Sequence, residues 1–385
     1  MKLLGICLVL ILTAPVIAMA QGTSTVPGLI GQDSTQRVIT TAVPFLNITP
    51  DSRAAGMGDA GVATSADVNS VYWNTAKLAF IDKGYGGSAS YTPWLAKIIN
   101  DMKLFYLTGF YKISREQTVA ASLKYFDMGQ VDFRTPDNQP NGRFNPREFS
   151  FDVAYSRLLT EHFSLGGAVR YIHSNLTGYL SSGGLDARPG TSVAVDLGVY
   201  YTKPMVSSNS SLSLGAAITN LGGKISYSDA NNKDFIPTNL RIGGAYKIEI
   251  DALNSFTFAL DLNKLMVPSP PNGRGKPLFS GVFGSFTDAQ GGLKEEFQEI
   301  TTSAGIEYWY NKIFAGRLGY FYEAQNKGNR KYLTAGIGFR YNDFGLDAAY
   351  MVPTNKRENA LAETIRFTVM MNIDKKARQE ESVAD

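Results

Sequence analysis

Phe163-Ser-Leu-Gly-Gly-Ala-Val-Arg-Tyr171 alternates without a break: Phe163, Leu165, Val169 and Tyr171 share one parity with Gly167, and Ser164, Gly166, Ala168 and Arg170 hold the other. The same beat returns in Val193–Tyr201, in Leu333–Tyr341 and in Ile365–Met371. Strict alternation of this kind indicates strands with one apolar and one polar face. Outward from these stretches, fourteen such segments lie near 84–92, 102–113, 116–127, 147–159, 161–174, 191–203, 210–219, 237–249, 253–263, 300–310, 313–323, 330–341, 343–352 and 364–374. Each has roughly the 9–11 residues that cross a bilayer at a tilt.

The connections alternate in length. Tight turns around Ser114-Arg115, Thr160, Asn311-Lys312 and Asn342, with two further short links, take turns with longer stretches at 93–101, 128–146, 175–190, 220–236, 264–299, 324–329 and 353–363. A soluble sandwich has no reason to segregate long loops to one end, whereas an outer-membrane barrel has short periplasmic turns and long outer loops. The reading is therefore all-β: a 14-stranded antiparallel transmembrane β-barrel with both termini periplasmic. Tyrosines and phenylalanines biased to strand ends fit interfacial girdles. Of 385 residues 44% are apolar and 18% charged, and the formal net charge is +3. That balance argues against disorder and gives no electrostatic case for nucleic acid.

The chain ahead of the strands divides further. Lys2, the apolar run Leu3–Leu12 and the small-residue site Ala18-Met19-Ala20 predict a secretory signal peptide over 1–20. Cys7, the only cysteine, lies inside it, so the remainder offers no disulfide, thiolate metal site or cysteine nucleophile. Residues 21–43 are Ser/Thr/Gly-rich and read as a flexible segment. Residues 44–83 are too few for a domain and too apolar to float, and are read as an internal plug. Small residues from Ala54 to Ala63 permit close backbone approach. Val71, Lys77 and Leu78 have helical spacing, with Asp67 placed to cap it. The barrel takes 84–374, and 375–385 form a charged periplasmic tail.

The polar parity of the strands carries charges of both signs: Asp152, Asp196, Asp261, Glu307 and Asp347 against Lys124, Arg170, Arg241, Arg317, Arg340 and Arg366. A network of ion pairs that fills the lumen and pins the plug is the favoured reading; a polar permeation path is the other. A continuous greasy tunnel is hardest to draw, because these charges would have to be desolvated along it. His162 and His173 are the only histidines and have neither a nucleophile motif nor metal-ligand spacing. Gly56-Met57-Gly58 lacks the βαβ frame of a nucleotide site. No catalytic residue, metal or cofactor is expected, and the chain reads as a non-enzyme.

The string from Pro44 to Thr64, followed by Val71-Tyr-Trp-Asn-Thr-Ala-Lys-Leu-Ala79, resembles the PorV (LptO) family of Bacteroidetes. Arg53, Gly56, Met57, Gly58, Asp59, Trp73 and Asn74 stand in this plug motif, and Thr75 occupies a place where related barrels often have proline. The resemblance implies an outer-membrane barrel of FadL-like architecture and a role in type IX secretion. On that resemblance the protein is a non-catalytic component that binds the folded C-terminal signal domain of cargo at the translocon barrel. It then passes the cargo to a cell-surface attachment complex, where a separate sortase-like protease removes the signal. The implied partners are the translocon, the cargo signal domains, the sortase-like protease with its attachment proteins, and outer-membrane lipid. The alternative, on fold analogy alone, is a FadL-like transporter of hydrophobic small molecules.

Residues 264–299 form the longest connection. Pro268, Pro270 and Pro271 stiffen its start, and Leu278, Phe279, Val282, Phe283 and Phe286 make an apolar stretch. Apolar residues on an outer loop predict a partner-binding surface, with a loop folded inward over the mouth as the equal alternative.

Overall fold

The computed structural model describes residues 37–94, 101–134, 137–176, 178, 180–182, 185–228, 233–270, 275–354 and 364–374. The expected signal peptide, most of the segment 21–43 and the tail 375–385 lie outside the described residues. Period-two alternation yields strands throughout. They begin with β1 (Tyr85–Pro93), β2 (Lys103–Lys112) and β3 (Gln117–Asp127). A short ribbon, β4 (Val131–Arg134) with β5 (Pro140–Phe144), precedes β6 (Arg147–Thr160) and β7 (Phe163–Asn175). A second ribbon, β8 (Leu180–Ser182) with β9 (Leu185–Ala187), precedes β10 (Gly190–Met205), β11 (Ser210–Gly222), β12 (Asn239–Glu249) and β13 (Asn254–Leu265). The chain ends with β14 (Ile300–Tyr310), β15 (Phe314–Tyr322), β16 (Lys331–Tyr341), β17 (Phe344–Pro353) and β18 (Ile365–Ile373).

Leaving the two ribbons aside, fourteen strands pair antiparallel with their sequence neighbours, and β1 pairs β18 to close the barrel. Tight turns gather at one rim and long connections at the other. In the three-residue connection from β14 to β15, Asn311 and Lys312 both have positive φ, at 50° and 54°, as a type I′ turn requires. On the apolar parity Val169, Leu318 and Ile337 are 57%, 65% and 68% exposed, which makes the outside of the cylinder a continuous apolar surface facing lipid. The other parity is buried: Asp152, Arg170, Asp196, Arg241, Glu307, Arg317, Asp347 and Arg366 all point into the lumen.

Residues 37–84 run through that lumen from one rim to the other. At the long-loop rim Arg37 N–H donates to Asn326 O (2.9 Å) and Ala42 N–H to Phe235 O (2.9 Å). At the short-turn rim Gly84 N–H donates to Ile373 O (3.0 Å), and Lys83 pairs with Asp374 (2.7 Å). Asp374 lies at the short-turn rim, and the described chain enters the lumen from the opposite mouth; the terminal segments on which the expectation of two periplasmic termini falls lie outside the described residues.

Between the rims the segment forms a 3-10 turn (Pro44–Asn47), the single-turn helices α1 (Ser52–Ala55) and α2 (Ser70–Trp73), and a 3-10 helix (Thr75–Phe80). The helical spacing expected around Val71–Leu78 is therefore realised in two pieces. Asn74, at φ −161° and ψ 105°, breaks them apart. Asp67 does not cap α2, whose N-cap position is Asn69 without a side-chain cap bond; its carboxylate instead accepts from Asn69 N–H at 3.0 Å, ahead of the helix.

Candidate functional site

Helices of one turn leave most of their backbone groups unpaired. The barrel wall supplies the missing partners. Thr368 Oγ1 accepts from Ser52 N–H (2.9 Å), Thr334 Oγ1 from Gly58 N–H (2.9 Å), and Asp261 from both Gly61 and Val62 N–H (2.7 and 2.8 Å). Ser156 and Ser164 hydroxyls donate to Ala76 O (3.0 and 2.7 Å). Lys124 Nζ donates to Leu46 O (3.0 Å) and Ile48 O (2.5 Å), at the end of the first 3-10 turn. Close approach does the rest. Gly58 has φ 69°, and a Cβ on the wall residue Gly319 would fall on its backbone N.

Each residue of the plug motif has a defined contact. Arg53 is spent entirely: Nε and one terminal nitrogen hold Glu307 (3.0 and 2.8 Å), and it also reaches Asp67 (2.8 Å), Ser65 O (3.1 Å) and Ser65 Oγ (2.7 Å). Gly56 lies against Gly336 of β16. Met57 packs with Ala60, Val62 and the wall alanines Ala217, Ala245 and Ala259. Asp59 accepts the Tyr332 hydroxyl (2.5 Å). Trp73 Nε1 donates to Asp51 (2.7 Å), the same carboxylate that caps α1 through Ala54 N–H (2.9 Å). Asn74 uses both ends of its amide: Oδ1 accepts from Ala76 N–H (3.1 Å), and Nδ2 donates to Val199 O (2.9 Å) and Val62 O (3.2 Å).

The lumen charges fall into two clusters, with Lys124, Arg241, Asp261 and Arg366 outside them. Arg317 pairs with Glu307 (2.8 Å) and Asp347 (2.8 Å), and Arg340 with Asp347 (2.7 Å), so Asp67, Arg53, Glu307, Arg317, Asp347 and Arg340 form one chain of charges. Arg170 joins Asp152 to Asp196 and also meets the Asn220 amide. Arg241 forms no ion pair among the described residues; it donates to Tyr72 O (3.2 Å) and stacks 4.8 Å from the Tyr72 ring and 4.9 Å from Trp73. Lys124 sits over the Tyr72 ring at 4.5 Å, which places that ring between two cations from separate strands. Arg366 is buried with its Nε unpartnered. The hydroxyl partners of the segment are not legible in the sequence, because Thr368, Thr334, Ser156 and Ser164 are ordinary residues on a polar strand face, whereas Lys124 stands among the inward charges expected to pin the plug. Their shared inward parity is the one signal that points to them.

Two cavities flank the segment. One of about 400 Å³ opens among Ile39, Asp59, Trp73, Arg241, Glu299 and Tyr332. Another of about 350 Å³ lies toward the short-turn rim among Arg53, Asp67, Phe80, Trp309 and Arg340. The apolar stretch of the longest connection splits. α3 (Leu278–Gly284) buries Val282 completely and half-buries Leu278 against Phe235, Met266 and Val267. Phe279, Phe283 and Phe286 stay 63%, 59% and 38% exposed. Past it, α4 (Leu293–Gln298) turns Glu295 and Glu296 inward. Glu295 is held below the ordinary carboxylate range: burial opposes this, but the Lys327 and Gly291 hydrogen bonds and the Lys327 and Arg37 charges outweigh it.

A comparison with curated proteins returned no match. Among solved structures, the chain is similar to the Pseudomonas putida toluene transporter TodX at 12% identity, covering 83% of this chain and 98% of that one, with a TM-score of 0.50. It is equally similar to the monoaromatic hydrocarbon channel CymD, at 10% identity over 85% and 98% with a TM-score of 0.50. A Pseudomonas aeruginosa FadL homologue aligns at 11% identity over 88% and 99%, with a TM-score of 0.46. At these identities the likeness is one of fold. The family model described as "Type IX secretion system protein PorV" matches residues 31–272, which include the lumenal segment and the wall as far as β13. With the motif from Pro44 to Ala79 inside that match and a lipid-facing closed barrel around it, the chain belongs to the PorV family and is an outer-membrane component of the type IX secretion system.

Proposed function

We propose that this barrel is a non-catalytic carrier in type IX secretion, which binds the C-terminal signal domain of cargo and conveys it from the translocon to the cell-surface attachment complex with its sortase-like protease. Residues 44–83 serve as a fixed plug, the long connections face outside, and Asp374 lies in the periplasm. One observation carries this reading. The lumen is occupied by a segment whose backbone is bonded to the wall on several sides, and its Arg53 is locked into a chain of charges. Work is then left to the long-loop rim. Pull-down of the intact barrel from mild detergent should recover cargo carrying its signal domain; normal surface display in a deletion strain, with no cargo recovered, would end the proposal. The orientation has its own test: Asn138→Cys, exposed in the β4–β5 ribbon, should react with a membrane-impermeant maleimide on whole cells.

A second reading, passage of hydrophobic small molecules, is favoured by the 400 Å³ cavity, whose wall includes Ile39, Leu265, Phe321 and Trp73. It requires uptake of such a molecule into liposomes that carry the barrel. No uptake above empty liposomes removes it.

A further inference from the structure

The connection from β13 to β14 leaves the wall at Leu265 and rejoins it at Ile300. It does not stand clear of the barrel. On β11 and β12, Leu214 and Ile242 belong to the exposed lipid-facing surface, at 49% and 52%. The residues above them on the same outward faces, Ile218, Leu221 and Leu240, are packed beneath Phe235, Met266, Val267 and Val282. On β13 the pattern repeats. Leu260 and Leu262 are 52% and 44% exposed, yet Lys264, next on their parity, is 7% exposed. Glu296 (3.0 Å) and Glu299 (2.6 Å) cover it, with the Phe286 ring 5.5 Å away. With Phe235 of the β11–β12 loop, Met266, Val267 and Val282 therefore cover the outer side of the wall, where lipid lies elsewhere around the cylinder, while Glu295 and Glu299 tie the connection to Lys327 at the mouth.

Its own far side is apolar in turn. Phe279 and Phe283 of α3, one helical turn apart, stack at 6.5 Å. Leu293 and Phe297 of α4 repeat the spacing and are 74% and 72% exposed. Ion pairs from Glu295 to Lys327 (2.7 Å) and to Arg37 (2.7 Å) fix the polar face of α4 and so aim its apolar pair away. The strands beneath show what is missing. At the long-loop end of the lipid face, aromatic residues mark the wall on both flanks, with Phe149 and Tyr171 on one side and Tyr320 and Tyr322 on the other. Between them β10 to β14 carry Val193, Leu221, Leu240, Leu262 and Thr302.

We propose that the β13–β14 connection is a membrane-seated flap. Phe279, Phe283, Leu293 and Phe297 enter the boundary between headgroups and acyl chains in the leaflet at the long-loop rim and complete the aromatic girdle over β11–β14. Lipid acyl chain is the occupant of this face, and exposed Lys294 can extend its stem toward headgroup phosphates. The inference rests on the barrel spanning a membrane, and it moves the apolar stretch from partner contact to lipid contact.

Single cysteines on a Cys7→Ser background can test it by nitroxide labelling in phosphatidylcholine vesicles. Val169→Cys calibrates lipid and Asn138→Cys calibrates water. Labels at Phe283→Cys and Phe297→Cys should show oxygen-to-nickel accessibility ratios several-fold above that of position 138 and approaching that of 169. Ratios equal to position 138, while 169 still reports lipid, overturn the flap and leave the barrel standing; an aqueous reading at 169 overturns the barrel itself. Phe279→Trp keeps the aromatic bulk and needs no label. Its added emission should be quenched several-fold more by doxyl-phosphatidylcholine than that of the parent tryptophans. Quenching by acrylamide alone means a face open to water, and the proposal fails.

Discussion

The lumenal segment grips the two sides of the barrel by different means. Toward β14–β17 it is held by charge, with Arg53 on Glu307 and Glu307 on Arg317, which in turn pairs with Asp347. Toward β6, β7 and β10 it is held by neutral groups. Asn74 and the hydroxyls of Ser156 and Ser164 bond backbone, and a Cβ on Gly166 would overlap the backbone of Thr75 and Ala76. The side toward β14–β17 is packed as closely, with Gly58 against Gly319 and Gly56 against Gly336, but in addition it cannot lose one charge, because each buried charge depends on the next. The neutral side can lose one bond of several but has no room for added volume.

Removing a charge should therefore do the most damage. Glu307→Gln leaves Arg53 with Asp67 alone and Arg317 with Asp347 alone, and should destabilise the folded barrel by about 3–5 kcal/mol, the cost of breaking a buried pair on one side. The measurement is the unfolding midpoint in detergent, read by the shift in gel mobility on heating. Replacing both partners, Arg53→Met with Glu307→Met, should recover part of the loss. If Glu307→Gln unfolds with the wild type, the contrast between the two sides collapses.

On the neutral side volume should matter more than bonds. Gly166→Val should cost about 1–3 kcal/mol by overpacking. Gly316→Val, on a face with nothing within 4 Å of the added carbon, should be near neutral and serves as its control. Asn74→Ala removes a cap, one wall bond to Val199 O and one bond within the segment to Val62 O, for about 1–2 kcal/mol. Ser164→Ala should cost about 1 kcal/mol or less, since Ser156 still donates to Ala76 O at 3.0 Å. A serine variant that hurts as much as Gly166→Val would show that the bonds, not the fit, hold this side.

How much of this could be read beforehand follows the same division. The strands and the inward charges were legible, because one rule of alternation fixes both where Asp152, Arg170 and Glu307 point and where Val169 points. Pairing was less legible: Glu307 faces Arg317 directly across β14 and β15, but Arg241 and Arg366 look identical in sequence and meet no carboxylate among the described residues. The neutral seat was hardly legible at all. Its partners lie far along the chain from the groups they satisfy, as Thr368 does from Ser52, and no local pattern links them. The sequence leaves Leu278–Phe286 between a partner-binding surface and a loop folded over the mouth, because it does not show that a short helix turns Val282 to the wall and Phe279 and Phe283 away.

The smallest effect belongs to a third grip, at the rim. Glu295 uses charge as Glu307 does, but its partner Arg37 is 41% exposed at the side chain, so solvent screens part of the interaction. Its folded carboxyl lies below the ordinary glutamate value of 4.5. The stabilisation it gives is then complete above that ordinary value and is lost as pH falls through its own lower one. The protection factor of the α4 amides, which removes the intrinsic pH dependence of exchange, should stay constant from neutral pH down to the ordinary glutamate range and fall only below it. In Glu295→Gln the lower protection should be present at every pH and the acid step absent. The strand amides of β14, held by the ladder from Ile300 to Tyr310, should not follow either change. If they do, the rim clamp is continuous with the lumenal charges, and the charged side of the barrel works as one unit from β14 to the mouth.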